Sequence, residues 1–598
     1  MQASVAYLTG TDGGFLLVLA LVIPLAGALL AFVCGGRQVE RVVFCVMPFG
    51  LAVALAIALT QRLVGAPLVY LIGRWTPPLG VALRADGLSV VMIVITAVVM
   101  GGICSFASAD FCTPEGSSES RAPFAFWILL PAVWAAMNTI FLAGDLFTLY
   151  VALELLTFAA VPLVCLDGRA ETLQAALRYL LFALLGSALY LAGTTLMYGD
   201  YGTLDIVLLS QRVRAEPVLF VAAALMTTGL LAKTALFPLH LWLPPAHAGA
   251  PAAASAVLSG LVVKGSFFVA VRLWFDVMPH VPASAAMQVL AGLGVGAILF
   301  GSVEALRQKR LKLLIAYSTL AQIGYLFLIF PLACPPGSAQ LVRDGALAGG
   351  MLQAMSHATA KAAMFMVAGL IYAELGHDRI VGLGNVARIL PTSVLAFGLA
   401  GLALIGLPPS GAYVAKDLLL DAASATSQWW WALAIQAGGI LAAGYVLLVI
   451  MHMLAPAPGL AAPGPAGSRK HVSRYQEAAA LALALCSLLL GLFPWGNYLP
   501  LPQGSLSNPL TFKALSGSVW TILAGAVLAI SLGRWDFRLN HRPLTRNLLL
   551  AFRPVRRTCL GISRINAELD ARLRQWPVAG ACLLFVLIVF GITLVVAR

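Results

Sequence analysis

Apolar runs of about twenty residues follow one another along nearly the whole chain, separated by short polar or glycine- and proline-bearing stretches. They fall near residues 15–34, 41–60, 87–107, 124–143, 146–166, 176–197, 218–238, 253–275, 284–304, 313–333, 345–372, 390–420, 428–453, 476–494, 514–532 and 577–597, sixteen in all. About twenty apolar residues in a helix cross the roughly 30 Å of hydrocarbon in a bilayer. A spanning segment has to be helical, because lipid offers no partner to backbone polar groups. The pattern predicts an all-α polytopic membrane protein with about sixteen transmembrane helices. The first run lacks a basic flank and a small-residue cleavage site, so it reads as a retained helix and not a signal peptide.

The spacing divides the chain into N-terminal helices (1–110), a core of ten helices (122–455) and C-terminal helices (456–598). The polar stretch TPEGSSESR (113–121) precedes the core, and the proline- and glycine-rich APAPGLAAPGPAGSRK (455–470) reads as a flexible loop after it. A basic segment, 534–576, precedes the last helix. Within it Ile562, Ile565, Leu569, Leu573 and Trp576 recur at helical spacing, and Glu568–Arg572 and Asp570–Arg574 are i,i+4 pairs. This predicts an amphipathic surface helix about 30 Å long, its apolar side turned to lipid or to a neighbouring subunit.

Composition agrees. Of 598 residues 61% are hydrophobic and 10% charged, with mean hydropathy +0.94, which excludes an ordinary soluble globular protein. A net charge of +13 would suggest nucleic acid in a soluble chain. Here it reflects topology and contact with anionic lipid, and no nucleic-acid partner is expected. Loops after odd-numbered spans carry most basic residues, among them Arg37, Arg169, Arg307, Lys309, Arg310, Arg379, Arg388 and the arginines of 534–574. The other side carries few, so both termini are expected outside. The nine cysteines form no CxxC or metal-ligand spacing. GLGVG (292–296) lacks the strand–turn–helix context of a nucleotide site and reads as helix packing. With no P-loop, nucleophile elbow or haem-ligand pair, no catalytic residue, cofactor or metal is expected.

The chemistry lies in charges placed where hydrocarbon should be. Lys233, Lys264 and Lys416 sit within or beside apolar runs, and Lys361 follows His357 by one helical turn. A charge at the bilayer centre costs roughly 2.5–3.5 kcal/mol, so a row of them implies partners, a water path and ion movement. Glu154 stands alone in its span and pairs with Lys233 on the functional reading; a static salt bridge is the alternative. Burial disfavours charged lysine and a nearby carboxylate favours it, and a lysine held in that balance can take and give a proton. Gln353, His357 and Lys361, spaced by four, share one helix face suited to a hydrogen-bonded relay. Lys312 lies at a helix end, where snorkelling alone would explain it. Asp145 reads as a helix cap.

Proline marks two breaks. Lys233 comes five residues before Pro238, with a second break expected at Pro244 and Pro245, while Pro408 and Pro409 come first and Lys416 follows. Lysine-then-break and break-then-lysine is what an inverted pair of discontinuous helices gives, and transporters place ion sites at such breaks. Simple kinks are the alternative.

Five segments carry a resemblance: GDLFTLYVALELLTFAAVPLV, KTALFPLHLWLPPAHAGAPAAASAVLSGLVVKGSFFVAVR, KLLIAYSTLAQIGY, SHATAKAAMF and GLPPSGAYVAKD. Together, over roughly residues 80–450, the chain resembles the antiporter-like proton-conducting membrane subunits. That family includes the large membrane subunits of complex I, the A-type and D-type subunits of Mrp antiporters, and hydrogenase-4 membrane subunits. The resemblance implies inverted repeats with fourteen core helices, two of them broken. It implies Glu154 and Lys233 as the paired charge, Lys264 as the connecting lysine, His357 and Lys361 as the central relay and Lys416 as the exit residue. The acidic residue usual before Lys312 is Arg310 here, and Gln353 stands where some members have a second histidine. The C-terminal extension resembles a lateral helix, here short and interrupted by Pro543 and Pro554. GSALYLAGTTLMYGDYGTLDI is similar to the D-type Mrp subunits.

These readings lead to a proton-translocating subunit, with sodium or potassium as an alternative coupled ion, in a multi-subunit complex of a bacterial inner membrane. Its expected partners are other membrane subunits and lipid. A self-sufficient cation/proton antiporter is the second hypothesis, and a quinone-binding redox subunit the third.

Overall fold

The computed structural model describes residues 10–113, 119–281, 283–334, 341–342, 345–456, 472–501, 509–532 and 553–596. Most of the 455–470 loop, the middle of 113–121, and 534–552 with Pro543 lie outside the described residues.

Among the described residues fifteen helices are long and apolar enough to cross a membrane, and two shorter helices, α14 and α15 below, together make a further crossing. The chain runs through α1 (Phe15–Cys34) and α2 (Gln38–Val64), then a hairpin of β1 (Leu68–Leu71) and β2 (Ala82–Ala85). Next come α3 (Gly87–Ala107), α4 (Arg121–Leu142), α5 (Leu146–Val164), α6 (Ala170–Tyr201) and the short α7 (Ile206–Arg212). The first broken crossing is α8 (Pro217–Thr234), a turn, and the short α9 (Leu243–Gly249), leading into α10 (Ala252–Val277). Then follow α11 (Ser284–Arg307), α12 (Leu311–Phe327) and α13 (Gly345–Leu375). The second broken crossing is α14 (Pro391–Ile405) and α15 (Gly411–Ala425). The chain ends in α16 (Trp429–Leu454), α17 (Arg474–Leu489), α18 (Phe512–Leu532), α19 (Arg553–Leu573) and α20 (Trp576–Val596).

The hairpin pairs Leu68 with Ala85 and Leu71 with Ala82, in a stretch that reads as plain loop. Two four-residue strands are too short for alternation to announce them.

Both breaks are real interruptions of the helix. At the first, Ala235 takes a left-handed conformation (φ 58°), Pro238 lies in the turn, and the Trp242 indole donates to the Ala232 carbonyl at 3.0 Å. The expected second interruption at Pro244 and Pro245 is absent. Those prolines open α9, where a missing N–H costs nothing. At the second break Gly406 is left-handed (φ 79°), Pro408 and Pro409 occupy the turn, and the Ser410 hydroxyl accepts from the Tyr413 N–H at 3.1 Å to start α15.

Close helix contact explains Gly294 within 292–296, while Gly292 faces open space. A Cβ on Gly294 would lie 2.7 Å from the Gly324 carbonyl oxygen, so α11 and α12 approach to backbone distance. Loop ends segregate as the span count demands. Arg169, Arg310 and Arg574, after the fifth, ninth and fifteenth spans, surround one cavity. At the other end Asp145 bridges to Asp205, and Asp86 meets Arg272.

The surface helix α19 forms, and its facing agrees with an apolar side turned to lipid or to a neighbouring subunit. Its polar side docks on the chain itself: Asn566 donates to Glu304 at 2.8 Å, Asp570 accepts from the Tyr317 hydroxyl at 2.8 Å, and Asp570 pairs with Arg574 at 2.8 Å. Ile565 stays 71% exposed. Polar sockets on α11 and α12 provide partners that the apolar stripe does not find there.

Candidate functional site

The expected lysines are buried. Lys233 is 7% exposed, Lys416 7%, and Lys264 and Lys361 are fully buried. None points to lipid.

Lys233 occupies the last turn of α8, just before the break. Its ammonium donates to Thr157 Oγ1 at 2.8 Å and the Leu153 carbonyl at 3.3 Å, and lies 3.5 Å from Glu154 Oε1. Glu154 is thus a partner, as predicted, but the loosest of the three. Thr157 is three residues beyond it on the same face of α5. The sequence reading missed Thr157; its i,i+3 spacing from Glu154 was the available signal. A cavity of about 10 Å³, close to the room one water needs, is lined by Thr157, Lys233 and Ser266. The Thr234 hydroxyl donates to Ser266 at 2.9 Å, joining the end of α8 to α10.

In α10 residues 258–262 wind wider than an α-helix, a feature frequent at functional sites. Lys264 follows this segment and donates back to the Ser259 carbonyl. The Ser259 hydroxyl shares a 2.8 Å hydrogen bond with Thr319 of α12. Beside Thr319, Ser318 accepts from Lys361 of α13, which also reaches the Ile315 carbonyl at 3.0 Å. His357, one turn before Lys361, is 1% exposed, has no hydrogen-bond partner among the described residues, and lies within electrostatic reach of Lys264 and Lys361.

Gln353, one turn earlier again, donates to Gln322 of α12 at 2.7 Å. Gln322 in turn donates to the Leu404 carbonyl at 3.1 Å, at the end of α14. The next carbonyl, Ile405, accepts from Lys416 at 2.6 Å. Ending α14 frees these carbonyls, and burial obliges them to find donors. Gly406 leaves room for the lysine stem, since a Cβ there would lie 2.6 Å from Lys416 Cδ. The ammonium stands 4.9 Å from the Tyr325 ring centroid.

The polar wall common to the central and exit groups is therefore α12, through Ser318, Thr319, Gln322 and Tyr325. Lys312, at the start of the same helix, stands apart. It donates to the Ala250 carbonyl at 3.2 Å and faces the Tyr372 ring at 5.6 Å, tying down the α9–α10 junction. Two buried histidines near the first break also went unassigned. His240 lies 3.6 Å from Asp570 of α19, and His247 stacks on Phe365 at 4.7 Å. Asp145 does cap its helix, accepting from the Thr148 N–H at 2.7 Å.

Replacing Thr157 by valine keeps the shape and removes the shortest contact to Lys233. A hydrogen bond to a charged group contributes about 1.5–3 kcal/mol, and about 1.4 kcal/mol is tenfold in rate. Ion translocation by Thr157→Val should fall about ten- to a hundredfold without vanishing, as read by dye quenching in proteoliposomes. An unchanged rate would mean that the hydroxyl does not hold the ammonium during turnover.

Residues 143–442 match the family described as NADH:quinone oxidoreductase/Mrp antiporter, TM. The chain is 32% identical over 492 residues to the N-type subunit of NADH-quinone oxidoreductase from Desulforudis audaxviator, a match covering 80% of this chain and 95% of that one. It is 29% identical over 416 residues to the D-type subunit of the Na(+)/H(+) antiporter from Alkalihalophilus pseudofirmus, covering 68% and 80% respectively. Its fold is similar to that of a chain in the Mrp complex structure from Dietzia sp., with TM-score 0.71 and 23% identity over 90% of this chain and 100% of that chain.

Proposed function

Because the chain belongs to the NADH:quinone oxidoreductase/Mrp antiporter transmembrane family, we propose that it is a proton-translocating subunit of a multi-subunit membrane complex, seated in a bacterial inner membrane with both termini outside. The observation that carries this reading is the buried series of protonatable and polar groups from Glu154 and Lys233 at the first break to Lys416 at the second.

The mechanism follows from the contacts. A proton resting on Lys233 is held by Thr157, Leu153 and Glu154. A carboxylate about 4 Å from an ammonium contributes on the order of 4 kcal/mol at an effective dielectric of about 20. That exceeds the roughly 2.3 kcal/mol that one charge gains from 100 mV, so the position of Glu154 decides where the proton rests. Drawing Glu154 from its 3.5 Å contact leaves the ammonium with neutral partners only, and the proton is released toward Ser266 and Lys264. His357 and Lys361 take it up at the centre, and Gln353 and Gln322 connect them with the carbonyls that hold Lys416. The driving force comes from a partner subunit, through charge movement beside Glu154, whose side chain is 15% exposed.

An exchange of sodium or potassium for protons by this chain alone is the second reading, favoured by its similarity to the D-type subunit of a Na(+)/H(+) antiporter. One pair of reconstitutions separates the two. The intact membrane complex in liposomes should generate a proton gradient when driven, and the purified chain by itself should exchange no cation for protons. Exchange by the isolated chain would sink the subunit reading.

A further inference from the structure

Where α6 begins, next to α9 and the end of α19, lies a cavity of about 350 Å³. Four arginines from three segments converge on it: Arg169 and Arg178 from the start of α6, Arg310 before α12 and Arg574 after α19. Three of them are already engaged. Arg169 pairs with Asp167 and donates to the Gly249 carbonyl, Arg310 pairs with Asp378, and Arg574 pairs with Asp570. Arg178, half-buried, has no hydrogen-bond or ion-pair partner among the described residues. It also faces a like charge: burial pushes Arg574 below the ordinary arginine value, the Glu304 charge opposes, and the Arg178 charge adds a smaller downward push. A guanidinium has five donors, so even the paired arginines keep N–H groups to offer. Such a set of donors suits a multidentate oxyanion.

The surface beside the cavity says what carries that oxyanion. Leu173, Leu177, Leu181 and Leu185 form an i,i+4 stripe along α6 and are 51%, 48%, 54% and 42% exposed. Leu173 and Leu177 immediately precede the cavity-lining Gln174 and Arg178 in sequence. A lipid-facing stripe is ordinary in a membrane protein; one that runs into an arginine-lined cavity is not. Glu171, at the same cavity, supplies a carboxylate to accept from the hydroxyl or ammonium end of a headgroup.

We propose that this cavity binds the phosphodiester headgroup of a membrane phospholipid, with Arg178 as its principal ligand and the α6 leucine stripe as the seat of its acyl chains. Planar guanidinium forks suit phosphate oxygens, and basic pockets between transmembrane helices hold lipid headgroups elsewhere. The bound lipid would join α6, α9 and the end of α19, three elements that meet at the cavity.

The test uses the full-length chain in neutral detergent and three probes: phosphatidylglycerol, diacylglycerol with the same chains, and inorganic phosphate. Binding is read by native mass spectrometry and by the shift in thermal unfolding midpoint that a ligand of the folded state produces. Phosphatidylglycerol should be retained at about one per chain and raise the midpoint, and diacylglycerol should do neither. Arg178→Gln should weaken phosphatidylglycerol binding about tenfold, a loss of about 1.4 kcal/mol. Arg178→Lys, which keeps the charge, should lose less, and Leu177→Asn should weaken phosphatidylglycerol while leaving inorganic phosphate unaffected. Equal retention of diacylglycerol, or of phosphatidylglycerol by Arg178→Gln, would overturn the proposal. So would inorganic phosphate binding as tightly as the lipid, which would make this a site for a free anion.

Discussion

Lys233→Ala is expected to stop ion translocation, by at least about a hundredfold, while the complex still assembles. A positioned proton-transfer group contributes about 10²–10⁴ in rate, and no other titratable cation lies within hydrogen-bond reach of Thr157 and Glu154 among the described residues. The alanine variant alone is ambiguous, because it also leaves Glu154 without its cation. Lys233→Arg resolves this. Arginine preserves the ion pair but does not give up its proton in proteins. A static bridge would accept the arginine and keep working; a proton carrier would assemble and remain silent. The measurement is dye-reported acidification in proteoliposomes of the intact complex, normalised to assembled complex on a native gel. Translocation by Lys233→Arg at the wild-type rate would reduce the Glu154–Lys233 pair to a structural contact.

How much of this was legible in the chain depended on the size of each group's penalty. Lys233, Lys264, Lys361 and Lys416 stand out because charge in hydrocarbon is costly, and the structure finds all four buried. The hydroxyls and amides that hold them carry no such signal. Serine, threonine and glutamine are unremarkable in membrane helices, and their partners lie far off in sequence: Lys233 to Thr157 spans 76 positions, and Lys361 to Ser318 spans 43. One clue was present and unused. Ser318, Gln322 and Tyr325 recur at i, i+4 and i+7 in the α12 segment, a polar stripe where only Lys312 drew notice. The two breaks were legible from proline, but a proline pair was ambiguous: Pro408 and Pro409 sit in a turn, while Pro244 and Pro245 begin a helix. The outward apolar side of α19 was legible from its spacing, but its docking partners were not, because they depend on what the receiving surface offers. Here Glu304, Tyr317 and His240 offer polar groups to Asn566, Asp570 and Arg574.

A charged cluster that the sequence reading passed over carries the largest expected effect on stability. Arg272 is 5% exposed near the end of α10; it grips Asp86 with both terminal nitrogens, at 2.5 and 2.6 Å, reaches Asp276 at 2.6 Å and donates to Ser89 at 2.7 Å. Ser89 passes the chain on to the Phe141 carbonyl at 2.6 Å, and Asp86 also caps α3 through the Ser89 N–H at 3.0 Å. One guanidinium therefore ties α3, α4 and α10 together at the end of the bundle away from the arginine cavity. Breaking a buried pair by removing one partner costs about 3–5 kcal/mol, because the other charge is left uncompensated. Arg272→Met should lower the thermal unfolding midpoint sharply and reduce the yield of folded chain. The triple variant Asp86→Asn, Arg272→Met, Asp276→Asn should recover much of the loss, since it leaves no buried charge behind. The pH dependence gives an independent check. In the wild type burial pushes the Asp86 carboxyl up, but the Arg272 charge and hydrogen bonds, with the Arg84 charge and the Ser89 N–H, outweigh it and hold the group well below the usual carboxylate range. That stabilisation is present above about pH 3.9, the ordinary aspartate value, and is lost only as pH falls through the depressed folded value. Without Arg272 burial dominates, the folded value rises, and stability declines as pH climbs above the ordinary value. Arg272→Met should thus lie closer to wild type at pH 5 than at pH 8, as read by tryptophan fluorescence during heating. A variant that unfolds with the wild-type midpoint at both pH values would show that this buried cluster contributes nothing to holding the three helices together.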